Sequence, residues 1–493
     1  MGDIRKQSVY STIYIYAGFL IGFISTGILM PRFLAESHNG VLKLLTSYSL
    51  IFAQFGSLGF QVATIKFMPL FRNKEKGHGG FFVLVLLSGL IGFSIFTLVY
   101  YNIKPWVISH EQAKSSLFAD YFFLVLPLTF FEILFNQIDT YARALFKSIL
   151  GSFLKEFFQR FLVLAVLLLY VFNWIGFNTF IFLYTAALSA STVIIFIVLL
   201  MQGEISINPR KLTLDRKLIY SILSVSGFGL ITGINAMAIT QIDSIIINYY
   251  YDPGLTGIYA ITFTYGTLVM MPSRALYRIA STYISEAFNK NDLPTLKEIQ
   301  SKSCLNQYIA GLGLFLLLWV NIDNVFRILP ESYQSGKYVI FLIGLGNLIH
   351  MLAGLSSQLI INSPKYKYSA IFIVIFLGIL VTADLVLIPI YGIIGAAAGS
   401  LMSVFIFNLI KYIYLRSAYG IQPYNFSYLY ISFVGAGAYL IAYYIPLPGQ
   451  LLVNLVLKSS IVGGVMLAGI YFLRISKDIN ELVDRGLQML FRK

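Results

Sequence analysis

The side chains able to do chemistry in this sequence are few, and they sit in apolar surroundings. Lys155, Glu156 and Arg160 share a short stretch, and Glu156 and Arg160 stand at i,i+4, the spacing of an intrahelical ion pair. Asp120, Glu132, Asp139 and Arg143 follow Pro127 or flank it. Glu132 and Asp139 share a helix face, and Arg143, one turn beyond Asp139, is placed to neutralise it. Arg274 and Arg278 also stand at i,i+4, just after Met271-Pro272-Ser273, where Pro272 bends the chain. Lys43, Asp243, Asp384, Lys458 and His350 complete the set. Arginines on one face suit an oxyanion, because the guanidinium fork binds two oxygens at once. Buried carboxylates suit a proton or a small cation. The plain alternatives are snorkelling or positive-inside anchoring for the cations, and structural pairing for the acids.

Other chemistries are poorly represented. The sole cysteine, Cys304, excludes a disulfide, and the four scattered histidines form no metal-ligand spacing. There is no phosphate-binding GxxxxGK[ST] loop and no DxD-type nucleotide-sugar site. His350, three residues from Asn347, is the base that a membrane acyltransferase would need.

The elements positioning these groups are membrane helices. Of 493 residues, 58% are apolar and only 11% are charged. A soluble domain carries about 25% charged residues. Fourteen apolar stretches are long enough to span, near 8–30, 44–65, 81–101, 117–137, 150–172, 177–201, 218–240, 255–273, 303–321, 338–361, 368–388, 392–411, 427–445 and 451–473. The first is too long for a signal peptide and reads as an uncleaved helix. Strand-type alternation is absent, so the fold class is an all-α polytopic bundle. Of 35 Lys and Arg, 26 fall on one side, including Lys411 and Arg416 after the twelfth helix, and 5 fall on the other. That asymmetry places both termini in the cytoplasm and explains the net charge of +14 without nucleic acid. No loop is long enough for a catalytic domain, and the longest, 274–302, reads as helical extension. Residues 475–493 read as a cytoplasmic amphipathic helix, with Ile479, Leu482, Val483, Leu487 and Leu490 on one face. Tyr249, Tyr250 and Tyr251 follow the seventh helix as an interfacial belt.

A weak repeat runs through the chain. Asn39-Gly40-Val41-Leu42 with Tyr48 matches Thr256-Gly257-Ile258-Tyr259 with Tyr265, at an offset of 217. Gly176 matches Gly392 at an offset of 216. The repeat implies parallel six-helix lobes, 1–205 and 215–415, with two added helices at 427–473. Two like lobes around a cavity are the geometry of alternating access.

The segment Gly22-Phe23-Ile24-Ser25-Thr26-Gly27-Ile28-Leu29-Met30-Pro31-Arg32-Phe33-Leu34 resembles the opening of polysaccharide flippases. So do Gln241-Ile242-Asp243-Ser244, Gly254-Leu255-Thr256-Gly257-Ile258-Tyr259 and Pro389-Ile390-Tyr391-Gly392-Ile393-Ile394-Gly395-Ala396-Ala397. The family is that of the O-antigen and lipid-linked oligosaccharide flippases, within the multidrug/oligosaccharidyl-lipid/polysaccharide exporter superfamily. The resemblance covers nearly the whole chain and implies a MATE-like fold. It implies a non-enzyme of the bacterial inner membrane that flips an undecaprenyl-pyrophosphate-linked oligosaccharide toward the periplasm, for lipopolysaccharide, O-antigen or capsule synthesis.

On that reading the pyrophosphate and sugar ligands are Arg274, Arg278, Lys155, Arg160 and Lys43. The ion-coupling groups are Glu132, Asp139 and Asp243, with H+ or Na+ as the coupled ion and no cofactor or metal. The partners are the lipid-linked oligosaccharide, membrane lipids and a polysaccharide polymerase or assembly protein. The alternatives are a drug/cation antiporter of the same superfamily and a membrane acyltransferase or polymerase.

Overall fold

A computed structural model describes residues 13–112, 116–208, 212, 215–232, 241–445 and 449–491. All regular structure among the described residues is helical. The chain divides into two compact units, Met1–Ile261 and Thr262–Lys493.

In the first unit, Ile13–Phe33 is long and apolar enough to span, with a π-helical turn over Phe23–Leu29. Its Gly18 and Gly22 lie one turn apart on one face. A Cβ on Gly18 would stand 1.7 Å from the Glu156 carbonyl, and one on Gly22 would stand 3.1 Å from Arg160 Cδ. Small residues thus let the first helix lie directly on the helix that carries the charges. The helix Glu36–Gly56 runs on into Phe60–Phe71 through a bend of 49°. The bend is at Gly59, whose φ of +64° only glycine adopts without strain. A Cβ there would also stand 2.2 Å from the Ser226 carbonyl, so the helix Arg216–Thr232 crosses at backbone contact.

Long helices follow: Gly77–His110, Leu117–Ala144 and Phe177–Met201. Between the last two, Ser148–Ser152, Phe153–Phe158 and Gln159–Val171 form one helical run with a π-helical middle. Two apolar cores stand out among the described residues of this unit. One gathers Val41, Leu44, Tyr100, Phe118, Phe122 and Phe180, the other Phe67, Phe81, Phe82, Tyr141 and Ile195.

The repeat glycines meet in this unit. A Cβ on Gly40 would lie 1.6 Å from the Pro253 carbonyl, and one on Gly257 would lie 2.0 Å from the Glu36 carbonyl. Each glycine therefore admits the residue four before the other, and the helices beginning at Glu36 and Pro253 touch backbone to backbone.

In the second unit, Leu293–Val320, Glu331–Leu352 and Leu451–Phe472 are spanning candidates, with Ser427–Tyr444 packed beside them. Lys367–Tyr419 is two helices joined at Gly392, with φ +58° and ψ −136°, which positions a span on each side of the join. One apolar core of this unit collects Val269, Phe315, Met351, Ala438, Val462 and Met466, and another Ile284, Leu355, Leu359 and Phe372. The stretch read as helical extension is helical, as Ser273–Asn289 and the start of Leu293–Val320. Lys477–Phe491 forms the C-terminal helix, and the side chains of Leu482, Leu487 and Leu490 lie outside the described residues.

Taken one by one, eight described helices satisfy the length and apolarity that a span needs, nine if the bent pair counts as one. Fourteen is not confirmed as the number. Several of the fourteen windows are broken by bends, π turns or residues outside the described set. The outward side chains fit a membrane protein: Leu98, Phe161, Trp174 and Phe433 are at least half exposed. The chain is a multi-pass membrane protein.

Two boundaries differ from the sequence reading. Tyr249 and Tyr250, read as following the seventh helix, lie with Asp243 in the helix Ile242–Tyr250, and 233–240 lie outside the described residues. The apolar run Ile245-Ile246-Ile247 continues the apolar period past Asp243. The twelfth helix does not stop at 411 but continues to Tyr419, so Lys411 is a buried helical residue and not a loop cation.

A polar knot ties the ends of the first unit's helices. Glu204 accepts from His78 Nε2 at 2.8 Å and pairs with Lys147 at 2.9 Å and Lys74 at 3.4 Å. Its backbone carbonyl accepts from Tyr141 Oη at 2.7 Å. Burial pushes the Glu204 carboxyl up, but hydrogen bonds from Lys147 and His78, the Lys147 charge and a bond from Lys74 outweigh it and hold it at about 2. A carboxyl depressed in the fold stabilises fully above its ordinary value of 4.5, and that contribution disappears as pH falls toward 2. Thermal midpoints in detergent should therefore drop between pH 4.5 and 2 more steeply for the wild type than for Glu204→Gln.

Candidate functional site

Several of the charged groups singled out in the sequence form two clusters in the first unit. The first lies between Leu117–Ala144 and the helical run from Ser148 to Val171. Lys155 Nζ donates to Glu132 Oε2 at 2.6 Å, and Asn136 Nδ2 approaches Glu132 Oε1 at 3.5 Å. The Lys155 ammonium stands 5.0 Å from the Phe135 ring, within cation–π range. Asp139 pairs with Arg143 at 3.2 Å, and the Lys155 charge acts on it as well. Gly151 makes the room: a Cβ there would fall 1.7 Å from Asp139 Oδ1. Arg160 donates to Glu156 Oε2 at 2.8 Å one turn along.

Local backbone explains how Lys155 reaches Glu132. Phe153–Phe158 is π-helical, and the wider turn rotates Lys155 and Glu156 relative to a regular α-helix. Such bulges occur often at functional sites. The cluster holds three carboxylates (Glu132, Asp139, Glu156) and three cations (Arg143, Lys155, Arg160).

The second cluster joins Lys43 to the helix beginning at Ile242. Lys43 Nζ donates to Gln241 Oε1 at 2.5 Å, and Ser47 Oγ donates to the same oxygen at 3.1 Å. Asp243 is buried and accepts from Tyr259 Oη at 2.5 Å, and its charge acts on Lys43. Lys43 is thus held inside its own unit.

Arg274 and Arg278 lie in the helix Ser273–Asn289, which starts at Pro272 after a turn of 3-10 helix; their side chains lie outside the described residues. Asp384 is fully buried, and Gly399 leaves space for its carboxyl, where a Cβ would stand 2.8 Å from Oδ1. Lys458 donates to the Val320 carbonyl at 3.1 Å. His350 faces the Tyr277 ring at 6.3 Å, while Asn347 is committed to the Gly266 carbonyl at 3.1 Å. The partner that an acyltransferase base would need is therefore turned elsewhere.

Sequence reasoning missed Lys411. It is 2% exposed, donates to Ser357 Oγ at 3.0 Å and stands 4.1 Å from the Phe407 ring, and no carboxylate pairs with it among the described residues. A buried intramembrane cation of this kind is a functional candidate by default. The signal was the apolar period running through Phe407, Ile410 and Tyr414 beyond the assumed helix end.

Comparison with known proteins fits this description. No protein-family model matches the chain. It is 24% identical over 260 residues to the probable flippase AglR of Haloferax volcanii, covering 49% of this chain and 51% of that one. It is 21% identical over 206 residues to Agl15 of the same organism, a probable low-salt glycan biosynthesis flippase, covering 41% and 43%. The chain thus spans about half the length of these curated relatives. Among solved structures it resembles the lipid II flippase MurJ in an inward closed conformation, with a TM-score of 0.75 at 13% identity, over 94% of this chain and 98% of that one. An inward-facing MATE family multidrug transporter of the MOP superfamily gives a TM-score of 0.64 at 12% identity, over 83% and 98%. The fold implied by the turn motifs is borne out: it is like that of MurJ and of the MATE family transporter.

Proposed function

We propose that this protein is a flippase that carries an undecaprenyl-pyrophosphate-linked oligosaccharide from the cytoplasmic to the periplasmic leaflet of a bacterial inner membrane. Both termini are cytoplasmic, and transport proceeds by alternating access between the lobes 1–205 and 215–415. The product feeds a surface polysaccharide, O-antigen or capsule, through a polymerase or assembly partner. The protein makes and breaks no covalent bond; it moves its cargo.

The observation that supports this reading is the ion pair between Lys155 and Glu132 at 2.6 Å, which we take to be exchangeable. A flippase must neutralise a pyrophosphate inside the membrane and then let it go. A fixed, unpaired cation would be costly when empty and slow to release when full. A lysine that exchanges a carboxylate for a phosphate meets both demands. When Glu132 takes a proton, Lys155 is released for the head group; when the head group leaves, Glu132 loses the proton and takes Lys155 back. Cargo binding and proton binding are then linked at one pair. Asp139 and Asp243 are further coupling groups, and Arg160, Arg274, Arg278 and Lys43 supply the remaining cations for head group and sugar.

The arginine pair tests the head-group assignment. Arg274→Ala with Arg278→Ala should weaken binding of a soluble-tailed polyprenyl-pyrophosphate glycan by about tenfold or more, since a charge-assisted hydrogen bond contributes about 1.5–3 kcal/mol. Titration calorimetry in detergent reads it. Unchanged affinity would make both residues membrane anchors.

A further inference from the structure

A cavity of about 560 Å3 opens on the first unit beside its basic loops. Tyr14, Leu150 and Phe153 wall it with apolar surface, and Phe146, Lys147 and Gln202 form its mouth. Tyr14 meets Phe153 edge to face at 5.1 Å. The mouth is built at some cost. Phe146 adopts a left-handed backbone, φ +63°, and is 68% exposed. A non-glycine residue in that region is strained, and strain of this kind concentrates at functional sites. Arg72 holds the ring: its guanidinium stacks 4.2 Å from the Phe146 centroid, and Nη2 donates to the Ala144 carbonyl at 2.7 Å. Arg72 is exposed, and no carboxylate pairs with it among the described residues. Arg72 thus reaches the cavity through the Phe146 ring, and Lys147, in the lining itself, bonds Gln202 and Glu204.

We propose that this cavity binds an anionic phospholipid, one acyl chain lying between Tyr14, Leu150 and Phe153 and its phosphate against Arg72 and Lys147. Charge complementarity selects this occupant. Lys66, Lys74 and Lys76 flank Arg72 on the same stretch, against Glu75 and Glu204, so the field at the mouth is positive. A water-soluble anion would leave the apolar walls uncovered, and a zwitterionic lipid carries its own cation against Arg72. The proposal does not depend on the flippase reading, because it concerns the lipid around the protein and not its cargo.

A fluorescence experiment tests it. Trp106, Trp174 and Trp319 are the three tryptophans. Replacing each with Phe and adding Phe153→Trp puts one reporter in the cavity wall, and Tyr14→Trp is a second reporter should the first fail to fold. The full chain is reconstituted in phosphatidylcholine bilayers holding an increasing fraction of brominated lipid. Brominated phosphatidylglycerol should quench the reporter with about fivefold higher apparent affinity per cation engaged than brominated phosphatidylcholine. Arg72→Gln should reduce that preference about fivefold. Equal quenching by the two lipids, or a preference that survives Arg72→Gln, would overturn the proposal. Displacement of brominated phosphatidylglycerol by undecaprenyl phosphate at lower mole fraction would assign the cavity to a polyprenyl lipid and overturn it also.

Discussion

Lys155→Met should abolish most transport, with translocation falling by about tenfold to a hundredfold, the loss of one charge-assisted contact to a phosphate. The fold should survive at reduced stability. A fully buried ion pair broken on one side costs about 3–5 kcal/mol. Here the Lys155 side chain retains 31% exposure and Glu132 15%, so about 2 kcal/mol is expected. Lys155→Arg should keep much of the activity, because the cation and a donor to Glu132 remain. Glu132→Gln separates the two roles of the pair. It frees Lys155 without a proton, so head-group binding should persist while transport stops responding to a pH gradient. Full transport by Lys155→Met would remove this pair from the mechanism. An undiminished pH response in Glu132→Gln would move coupling to Asp139 or Asp243.

The second large effect is structural. Gly40→Leu or Gly257→Leu should prevent accumulation of folded protein, and Gly40→Ala alone should cost about 1–3 kcal/mol through overpacking. The missing Cβ atoms would stand 1.6 Å from the Pro253 carbonyl and 2.0 Å from the Glu36 carbonyl, and backbone cannot move aside as a flexible side chain can. Gly464→Ala is the control, for no heavy atom lies within 4 Å of its Cβ position. Size-exclusion profiles and thermal midpoints of the purified variants give the comparison. Normal profiles for Gly40→Leu would mean that these helices separate freely.

Much of this was legible because membrane helices announce themselves by composition and glycines by their neighbours. The match of Gly40 to Gly257 came from a handful of identities, and the two residues turn out to pack against one another's helices. The local ion pairs Glu156–Arg160 and Asp139–Arg143 follow from i,i+4 spacing alone. The Lys155–Glu132 pair does not. It joins residues 23 apart on different helices, through a π turn that no periodicity reveals. Lys43 meeting Gln241 across 198 residues was illegible for the same reason. The end of the twelfth helix was misplaced where Lys411 sits inside an apolar run. Asp243 and Lys411 both suggested an interface, and both are buried helical residues with partners supplied by tertiary structure: Tyr259 for one, Ser357 and Phe407 for the other.

The central claim is movement of a lipid-linked glycan between leaflets. Proteoliposomes loaded with a fluorescent undecaprenyl-pyrophosphate oligosaccharide, probed by a membrane-impermeant reagent that destroys only outward-facing fluorophore, measure it directly. The account predicts that wild-type protein exposes label beyond the half accessible in empty vesicles, that an imposed pH gradient changes the rate, and that Lys155→Met returns the signal to that of empty vesicles. No protein-dependent exposure with any of several glycans, with or without a gradient, would contradict the flippase reading. Gradient-driven export of organic cations by the same vesicles would then make the protein a drug/cation antiporter.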